Sequence, residues 1–385
     1  MNLTRRGFSK RLAIVPLTIS GCSLPTNGKG QEARLTLKER NHWGANTFLH
    51  QDPESWRKRK TIQMLKDAGI NWIKQHFLWS EIEQTGPDQF IDPLWKTPTW
   101  DKYDEIVDLA TEAGIGIIAR IDRTPTWARS EGSTTTQPPS QLDDFGHFIR
   151  TIVGRYRGKV QHYQIWNEPN LAAEWGGNKP NAKQYADLLQ VAYEAARAVD
   201  PDTMILNAPL AATLERSHRA QVELDYLEEL YDAGGGSYFD IHSANAFGLG
   251  LPPEDPPDYN VLNFRRVELS RTIMEAHGDS SKPIWFNEYG WNASPDDFPP
   301  HLLFWSRVDE ATQAEWTVRG IEYARDNWPW AGVFCIWYFL RQYSDIDPSE
   351  SEYYFRMVDP DFELMPVYEE MKKYIDANPY EYDES

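Results

Sequence analysis

Two glutamates stand out because of the residues around them. Glu168 lies in the hexapeptide IWNEPN (residues 165–170), and Glu288 lies in the octapeptide IWFNEYGW (residues 284–291). Both carboxylates therefore sit in an apolar and amide setting. Hydrolysis of a glycosidic bond with retention of configuration uses two carboxyl groups roughly 5–5.5 Å apart, one that protonates the leaving oxygen and one that attacks the anomeric carbon. The pair could perform this chemistry if the fold brings the two segments together.

Short β-rich segments alternate with amphipathic helical patterns over most of the chain. We predict strands at His42–Asn46, Asn71–His76, Gly116–Ile121, Val160–Asn167, Met204–Asn207, Phe239–Asn245, Pro283–Asn287 and Gly332–Tyr338. We predict helices at Pro53–Ala68, Thr99–Ala113, Ser140–Tyr156, Ala182–Val199, Glu223–Ala233, Val261–His277, Glu310–Asp326 and Met365–Ala377. Asp52 is the expected cap of the first helix, and Gly69 and Gly114 are expected to end the first and second.

Eightfold strand–helix alternation without a composition break predicts a single-domain (β/α)8 TIM barrel of the α/β class. A doubly wound open sheet is the main alternative, but no GxGxxG or GxxxxGK[ST] motif follows the first strand. In a (β/α)8 barrel the active site lies at the C-terminal ends of the strands. Glu168 follows strand 4 and Glu288 follows strand 7, and these strands face each other across the barrel.

The two glutamate motifs resemble the acid/base and nucleophile motifs of glycoside hydrolase clan A. The chain is most similar to family 39 and next to the family 5 cellulases, over roughly residues 41–373. The resemblance implies that Glu168 is the general acid/base and Glu288 the nucleophile. It also implies that Asn167 hydrogen-bonds the sugar 2-hydroxyl and that Trp337 forms the floor beneath the sugar. For Glu168 to act as an acid its pKa must be raised, and the nearby Glu288 charge could raise it.

Further substrate-binding candidates lie near the predicted strand ends. The tryptophans could be sugar platforms, although each is equally compatible with packing at the barrel rim. The candidates are Trp79, Trp127, Trp175, Trp291, His242, Asn245, Gln75 and His76. The segment RIDR (residues 120–123) is expected to contain a buried charge pair that shapes the site.

Two departures from the clan pattern concern the nucleophile. Clan members commonly carry an arginine at the end of strand 2, where this chain has Gln75 and His76. Family 39 often has a tyrosine after strand 6, where this chain has the segment NAF (residues 245–247). Another residue must then position Glu288, and the candidates are His242, Tyr289 and His76. Histidines on separate strands without HxH or HExxH spacing give no reason to expect a metal, and we expect no cofactor.

The N-terminal segment predicts export. Residues 4–10 (TRRGFSK) resemble a twin-arginine signal, and residues 19–22 (ISGC) resemble a lipobox. The apolar stretch between them is far shorter than the ~20 residues that span a bilayer. We expect a signal peptide at 1–21, lipidation of Cys22, a flexible tether at 22–40, the barrel at 41–378 and an acidic tail at 379–385. An uncleaved basic start is the alternative.

Composition narrows the classes of partner. The chain has 385 residues and a net charge of −19, which disfavours nucleic acid and polyanionic substrates. The 16 tryptophans and 19 tyrosines suit sugar rings as well as a core. We expect a lipid-anchored, extracytoplasmic retaining glycosidase for a β-linked, mostly neutral oligo- or polysaccharide, with no protein partner implied. The alternatives are a non-catalytic carbohydrate-binding lipoprotein and a transglycosylase.

Overall fold

The computed structural model describes residues 43–379. The strands in this part of the chain are β1 Trp43–Thr47, β2 Trp72–Leu78, β3 Gly116–Asp122, β4 His162–Ile165, β5 Met204–Leu206, β6 His242–Phe247, β7 Ile284–Gly290 and β8 Ala331–Ile336. The α-helices are α1 Ser55–Asp67, α2 Trp79–Ile82, α3 Asp101–Ala113, α4 Leu142–Arg155, α5 Ala182–Val199, α6 Glu223–Asp232, α7 Val267–Ala276, α8 Glu310–Asn327 and α9 Pro366–Ala377.

All strand pairs are parallel, and the sheet order is β5-β4-β3-β2-β1-β8-β7-β6. The two end strands approach each other through a bridge between Leu206 and Ile241. The carbonyl oxygen of Ile205 also accepts hydrogen bonds from the amide groups of Asp240 (2.8 Å) and Ile241 (3.2 Å). The sheet is therefore a nearly closed barrel with helices between its strands, which confirms the predicted (β/α)8 fold class and all eight strands.

Helix boundaries follow local backbone chemistry, with two corrections. Gly69 and Gly114 adopt φ of +73° and +72° and end α1 and α3, as predicted. Asp52 does not cap α1, because the helix begins only at Ser55; its carboxylate instead accepts from the Glu54 amide (3.3 Å) and from Arg57 Nε (3.2 Å). The predicted helix 261–277 starts as a 3-10 turn, and its α-helical part begins at Val267.

An aromatic layer fills the half of the barrel interior that lies toward the N-terminal ends of the strands. Trp72 contacts His162 and Trp285 with ring centroids 4.9 and 5.1 Å apart. Side chains on one face of a strand recur every second residue, so Trp72, Lys74 and His76 share a face of β2. The aromatic layer closes the barrel at the N-terminal ends of the strands. The polar side chains therefore lie toward the C-terminal ends.

Several predictions lie outside the described residues. They are the signal peptide 1–21, the lipidated Cys22, the tether 22–40 and almost all of the acidic tail. The other cysteine, Cys335, is a free thiol buried in β8. None of the helices in residues 43–379 combines the length and apolar character needed to cross a membrane.

Candidate active site

A cavity of about 490 Å³ opens at the C-terminal ends of the strands. Its walls include both glutamates singled out in the sequence, Glu168 after β4 and Glu288 on β7, together with Asn167 and Trp337. These four residues come from the C-terminal ends of three strands, β4, β7 and β8. The barrel therefore brings the two glutamate motifs to one cavity.

Glu288 is held by a buried ammonium group. Lys74 Nζ on β2 donates to Glu288 Oε1 at 2.6 Å, and both side chains are almost fully buried. Burial lowers the pKa of Lys74, while the Glu288 carboxylate opposes this shift. Removal of one partner of such a buried ion pair strongly destabilises the folded state, because the other charge is left buried and unpaired. Lys74 is therefore the residue that positions the candidate nucleophile.

Sequence reasoning missed Lys74. The expectation was that His242, Tyr289 or His76 positions Glu288, and it is wrong for all three. Tyr289 packs in the core against Phe334, and His76 pairs with Asp122 instead. The sequence did hold a signal for Lys74, because it is a charged residue in the otherwise apolar first half of a buried strand. It shares a face with Trp72 and comes one position before Gln75, the first residue considered at this strand end.

Glu168 lies on a strained turn that follows β4. Trp166 and Glu168 have φ of +72° and +41°, in the left-handed region that L-residues rarely adopt. Neighbouring segments hold this turn: Trp166 N donates to Ile121 O, and Glu168 N donates to Pro209 O, both at 3.0 Å. Such strain persists only where the surroundings over-determine the backbone, and it is common at functional sites.

The surroundings of Glu168 favour its protonated form. Burial raises the pKa of Glu168 to about 8, and the negative charges of Glu288 and Glu174 act in the same direction. Asn245 Nδ2 donates to Glu168 Oε1 at 2.7 Å and opposes the shift. The β6–β7 pairing shifts register after Ala244 and Phe286, and this shift aligns Asn245 with Glu288. Glu168 is therefore largely protonated at neutral pH.

Side-chain hydrogen bonds connect the strands that carry the two glutamates. Asn287, beside Glu288, donates from Nδ2 to Gln164 Oε1 at 2.6 Å. Gln164 Nε2 in turn donates to Trp166 O at 2.7 Å, within the strained turn. Asn46 Nδ2 on β1 donates to Asn287 O at 2.8 Å. This network fixes the two glutamate segments relative to each other.

The arginines that line the cavity are all paired with carboxylates. Their ion pairs are Arg120–Asp122 (2.7 Å), Arg123–Glu174 (2.9 Å) and Arg341–Glu352 (2.6 Å). His76 also contacts Asp122, and burial lowers the pKa of His76 to about 4, so its ring is neutral at neutral pH. The expected charge pair in residues 120–123 is therefore present as Arg120–Asp122.

Aromatic side chains form one side of the cavity. Trp337 packs edge-to-face on Phe48 with ring centroids 5.7 Å apart, and the peptide bond from Trp337 to Tyr338 is cis. Phe247 and Trp305 also line the cavity and lie 4.6 Å apart. Phe48, Phe247 and Trp305 were not among the predicted site residues. Phe247 ends β6, and Phe48 and Trp305 lie outside the strands and α-helices, where the sequence gives no periodic signal. They add to the apolar surface that Trp337 provides.

The other predicted platforms are corrected by the structure. Trp79, Trp175 and Trp291 are at most 1% exposed and pack in the core, so they present no free ring face. Trp127 is partly buried against Trp79, and its indole Nε1 donates to Glu83 O at 2.7 Å. None of the four lines the cavity. Their ring area stabilises the barrel instead.

The remaining polar candidates occupy three different places. Gln75 is fully buried and bonds Thr47 (3.0 Å) and His50 (2.9 Å), so it supports the cavity wall rather than forming it. Asn245 contacts Glu168, as described above. His242 is buried beside a separate small cavity, and burial lowers its pKa to about 3. Direct substrate contact is therefore excluded by burial for Gln75 and His242.

Comparisons with known proteins agree with the barrel fold. The family model for cellulase (glycosyl hydrolase family 5) matches residues 27–210. A family 39 glycoside hydrolase from Bacteroides cellulosilyticus WH2 superposes with a TM-score of 0.64 at 18% identity, over 88% of this chain and 64% of that one. The chain is similar to glycoside hydrolases of clan A.

Two further matches point to the same group. A GH39 β-xylosidase from Caulobacter crescentus has a TM-score of 0.60 at 18% identity, over 89% of this chain and 72% of that one. Endo-1,4-beta-xylanase B from Paenibacillus barcinonensis is 28% identical over 111 residues, which cover 28% of this chain and 33% of that protein. The structural likeness shows a shared fold. Together the matches support an O-glycosyl hydrolase.

Proposed function

We propose that this protein is a retaining glycoside hydrolase that cleaves β-glycosidic bonds in a neutral oligo- or polysaccharide. One observation carries the proposal: a single cavity holds two glutamates with opposite surroundings. Glu288 contacts a buried ammonium, whereas the pKa of Glu168 is raised to about 8. Retaining glycosidases need this division between an ionised nucleophile and a protonated acid.

The geometry supports a two-step reaction. In the first step Glu288 attacks the anomeric carbon while Glu168 gives its proton to the departing glycosidic oxygen, which leaves a glycosyl ester on Glu288. In the second step Glu168, now a carboxylate, takes a proton from water as that water attacks the anomeric carbon. The ester bond breaks, and Glu288 returns to its ion pair with Lys74.

The walls of the cavity support a neutral substrate. Its three arginines are already paired with carboxylates, so their charges are balanced before a substrate enters and offer little net attraction to an anionic sugar. Trp337 and Trp305 offer apolar ring surface of the kind that packs against sugar rings. Since similar proteins carry the names β-xylosidase and endo-1,4-β-xylanase, aryl β-D-xylosides are the first substrates to test.

A panel of 4-nitrophenyl β-D-glycosides with the purified protein tests the proposal. We expect turnover of at least one glycoside, with a first-formed product of β configuration by NMR. For substitutions of Glu168 or Glu288, Glu83→Gln is the matched control and should keep turnover, because Glu83 is a buried glutamate outside the cavity. An α-configured first product would contradict the retaining mechanism, and sugar binding without turnover would favour a non-catalytic binder. Transfer of the sugar to an added acceptor in preference to water would indicate a transglycosylase.

The proposal includes export and anchoring through a lipid on Cys22. It rests on the residues TRRGFSK and ISGC of the N-terminal segment. We expect the full-length protein in the membrane fraction of a bacterial host and labelled by a radioactive fatty acid. Cys22→Ser should lose the label and move to the soluble fraction. A soluble, unlabelled parent protein would contradict the anchor without bearing on the glycosidase proposal.

A further inference from the structure

A second, much smaller cavity lies behind the active site, between β6 and α7. Its volume is about 30 Å³. Five polar atoms on its lining residues are buried and have no hydrogen-bond partner among the described residues. They are His242 Nδ1, Ser243 Oγ, Asn245 Oδ1, Asn263 Oδ1 and Arg266 Nη2. Buried polar atoms rarely lack partners, so this concentration around one cavity needs a cause.

The chemistry of these atoms matches a neutral molecule that both donates and accepts. Arg266 Nη2 is a donor, whereas the amide oxygens of Asn245 and Asn263 are acceptors. The charge of Arg266 is already balanced, because its Nε contacts Glu223. His242 adds no charge at neutral pH, since burial lowers its pKa to about 3. A cation or an anion would therefore lack a counter-charge in this cavity.

We propose that this cavity binds a water molecule that fixes the orientation of the Asn245 side chain. The water accepts a hydrogen bond from Arg266 Nη2 and donates its two protons to the Oδ1 atoms of Asn245 and Asn263. The cavity exceeds the roughly 10–15 Å³ that one water needs, and three hydrogen bonds are the usual number for a buried water. With Oδ1 held in the small cavity, Asn245 must turn its Nδ2 toward Glu168.

This orientation matters for the acid/base residue, and the argument here rests on the proposed function. The Nδ2 group donates to Glu168 Oε1 at 2.7 Å and favours the carboxylate that the second step needs. A flipped amide would present its oxygen and hold the proton on Glu168. The charged groups around Glu168 are Glu288 on β7, Glu174 after β4 and Arg120 on β3. None of them lies at the small cavity.

Ser270 on α7 offers a way to displace the water without altering any of the five atoms. Its side chain lines the small cavity. Ser270→Val adds volume there, whereas Ser270→Ala removes the same hydroxyl without filling the space. The titration of Glu168 is followed by NMR with ¹³Cδ-labelled glutamate, and the signal is assigned by its loss in Glu168→Gln. No substrate is needed, so the result is independent of whether the protein cleaves glycosides.

We expect Ser270→Val to raise the titration midpoint of Glu168 by about 0.5–1 pH unit, because the hydrogen bond from the Asn245 side-chain amide to the Glu168 carboxylate is lost. Ser270→Ala should titrate like the parent protein. An unchanged midpoint in folded Ser270→Val would overturn the proposal. Should that variant not fold, a high-resolution crystal structure of the parent protein decides: water density bonded to Asn245 Oδ1 and Arg266 Nη2 supports the site, and a chloride or no density there contradicts it.

Discussion

The ends of β4 and β7 carry the same side chain in opposite settings. Glu288 lies within β7, and a buried lysine holds one of its oxygens. Glu168 lies on a strained turn, accepts a hydrogen bond from the side-chain amide of Asn245 and has a raised pKa. The comparison teaches that partner chemistry, rather than residue type, assigns the roles of the two carboxylates.

Removal of the β7 carboxylate should have the largest effect. Glu288→Gly eliminates the nucleophile, and we expect activity on an aryl β-glycoside to fall by on the order of 10⁴-fold or more. Azide can enter the space and attack the anomeric carbon directly. The rescued product should be the α-glycosyl azide, identified by NMR. Rescue to a β-glycosyl azide, or full activity without azide, would remove Glu288 from the nucleophile role.

Replacement of the β4 carboxylate should have a smaller and substrate-dependent effect. Glu168→Gln cannot protonate a leaving group, so turnover of glycosides with poor leaving groups should fall by about 10²–10⁴-fold. A 2,4-dinitrophenyl glycoside needs no protonation, and its first step should proceed at nearly the parent rate as a burst of dinitrophenol. Equal losses for both leaving groups would contradict the acid role.

Much of this comparison could be predicted from the sequence. The asparagine–glutamate motifs lie at the ends of β4 and β7 because the eight-unit alternation specifies the barrel, and the barrel specifies which strand ends meet. The helix ends at Gly69 and Gly114 were predicted correctly, because they depend on the left-handed backbone conformation that glycine adopts locally. Local chemistry and fold periodicity are both readable from a single chain.

The supporting residues could not be predicted in the same way. Lys74 reaches Glu288 across the barrel, and such contacts depend on the register of β2, β1, β8 and β7 rather than on local pattern. The prediction of tryptophan platforms was wrong for the converse reason. Trp79 and Trp291 follow strand ends as predicted, but they turn into the core, where each indole N–H donates a hydrogen bond within the protein. Sequence position gives the strand end and not the direction of the side chain.

A double-mutant cycle isolates the interaction energy between Lys74 and Glu288 from their other contacts. Lys74→Met leaves a buried carboxylate without its partner, so we expect about 3–5 kcal/mol less unfolding free energy in denaturant titrations. In a Glu288→Gln background the same change should cost much less, since no charge is stranded. Equal costs in both backgrounds would show that the pair is not coupled. Lys74→Arg tests whether a charge alone restores activity.

The raised pKa at the β4 end predicts the alkaline side of the pH–activity profile. Glu168 acts in its protonated form, so kcat/KM should fall as pH rises through about 8, by roughly tenfold per pH unit beyond it. Glu174 contributes a like charge, and Glu174→Gln should shift this limb to lower pH. Glu174 also pairs with Arg123, so the folded state of the variant is checked by circular dichroism. A limb that moves upward would contradict the assignment.

The smallest effect concerns stability. The pKa of Glu168 is about 8 in the folded protein, above the ~4.3 of an unfolded glutamate, so the native state binds this proton more tightly. The contribution of Glu168 to stability therefore declines as pH rises from about 4.3 to about 8 and is constant beyond. Glu168→Gln removes the decline, so its unfolding free energy relative to the parent should improve as pH rises from about 5 to about 8 and stay level beyond, measured by denaturant titration at each pH.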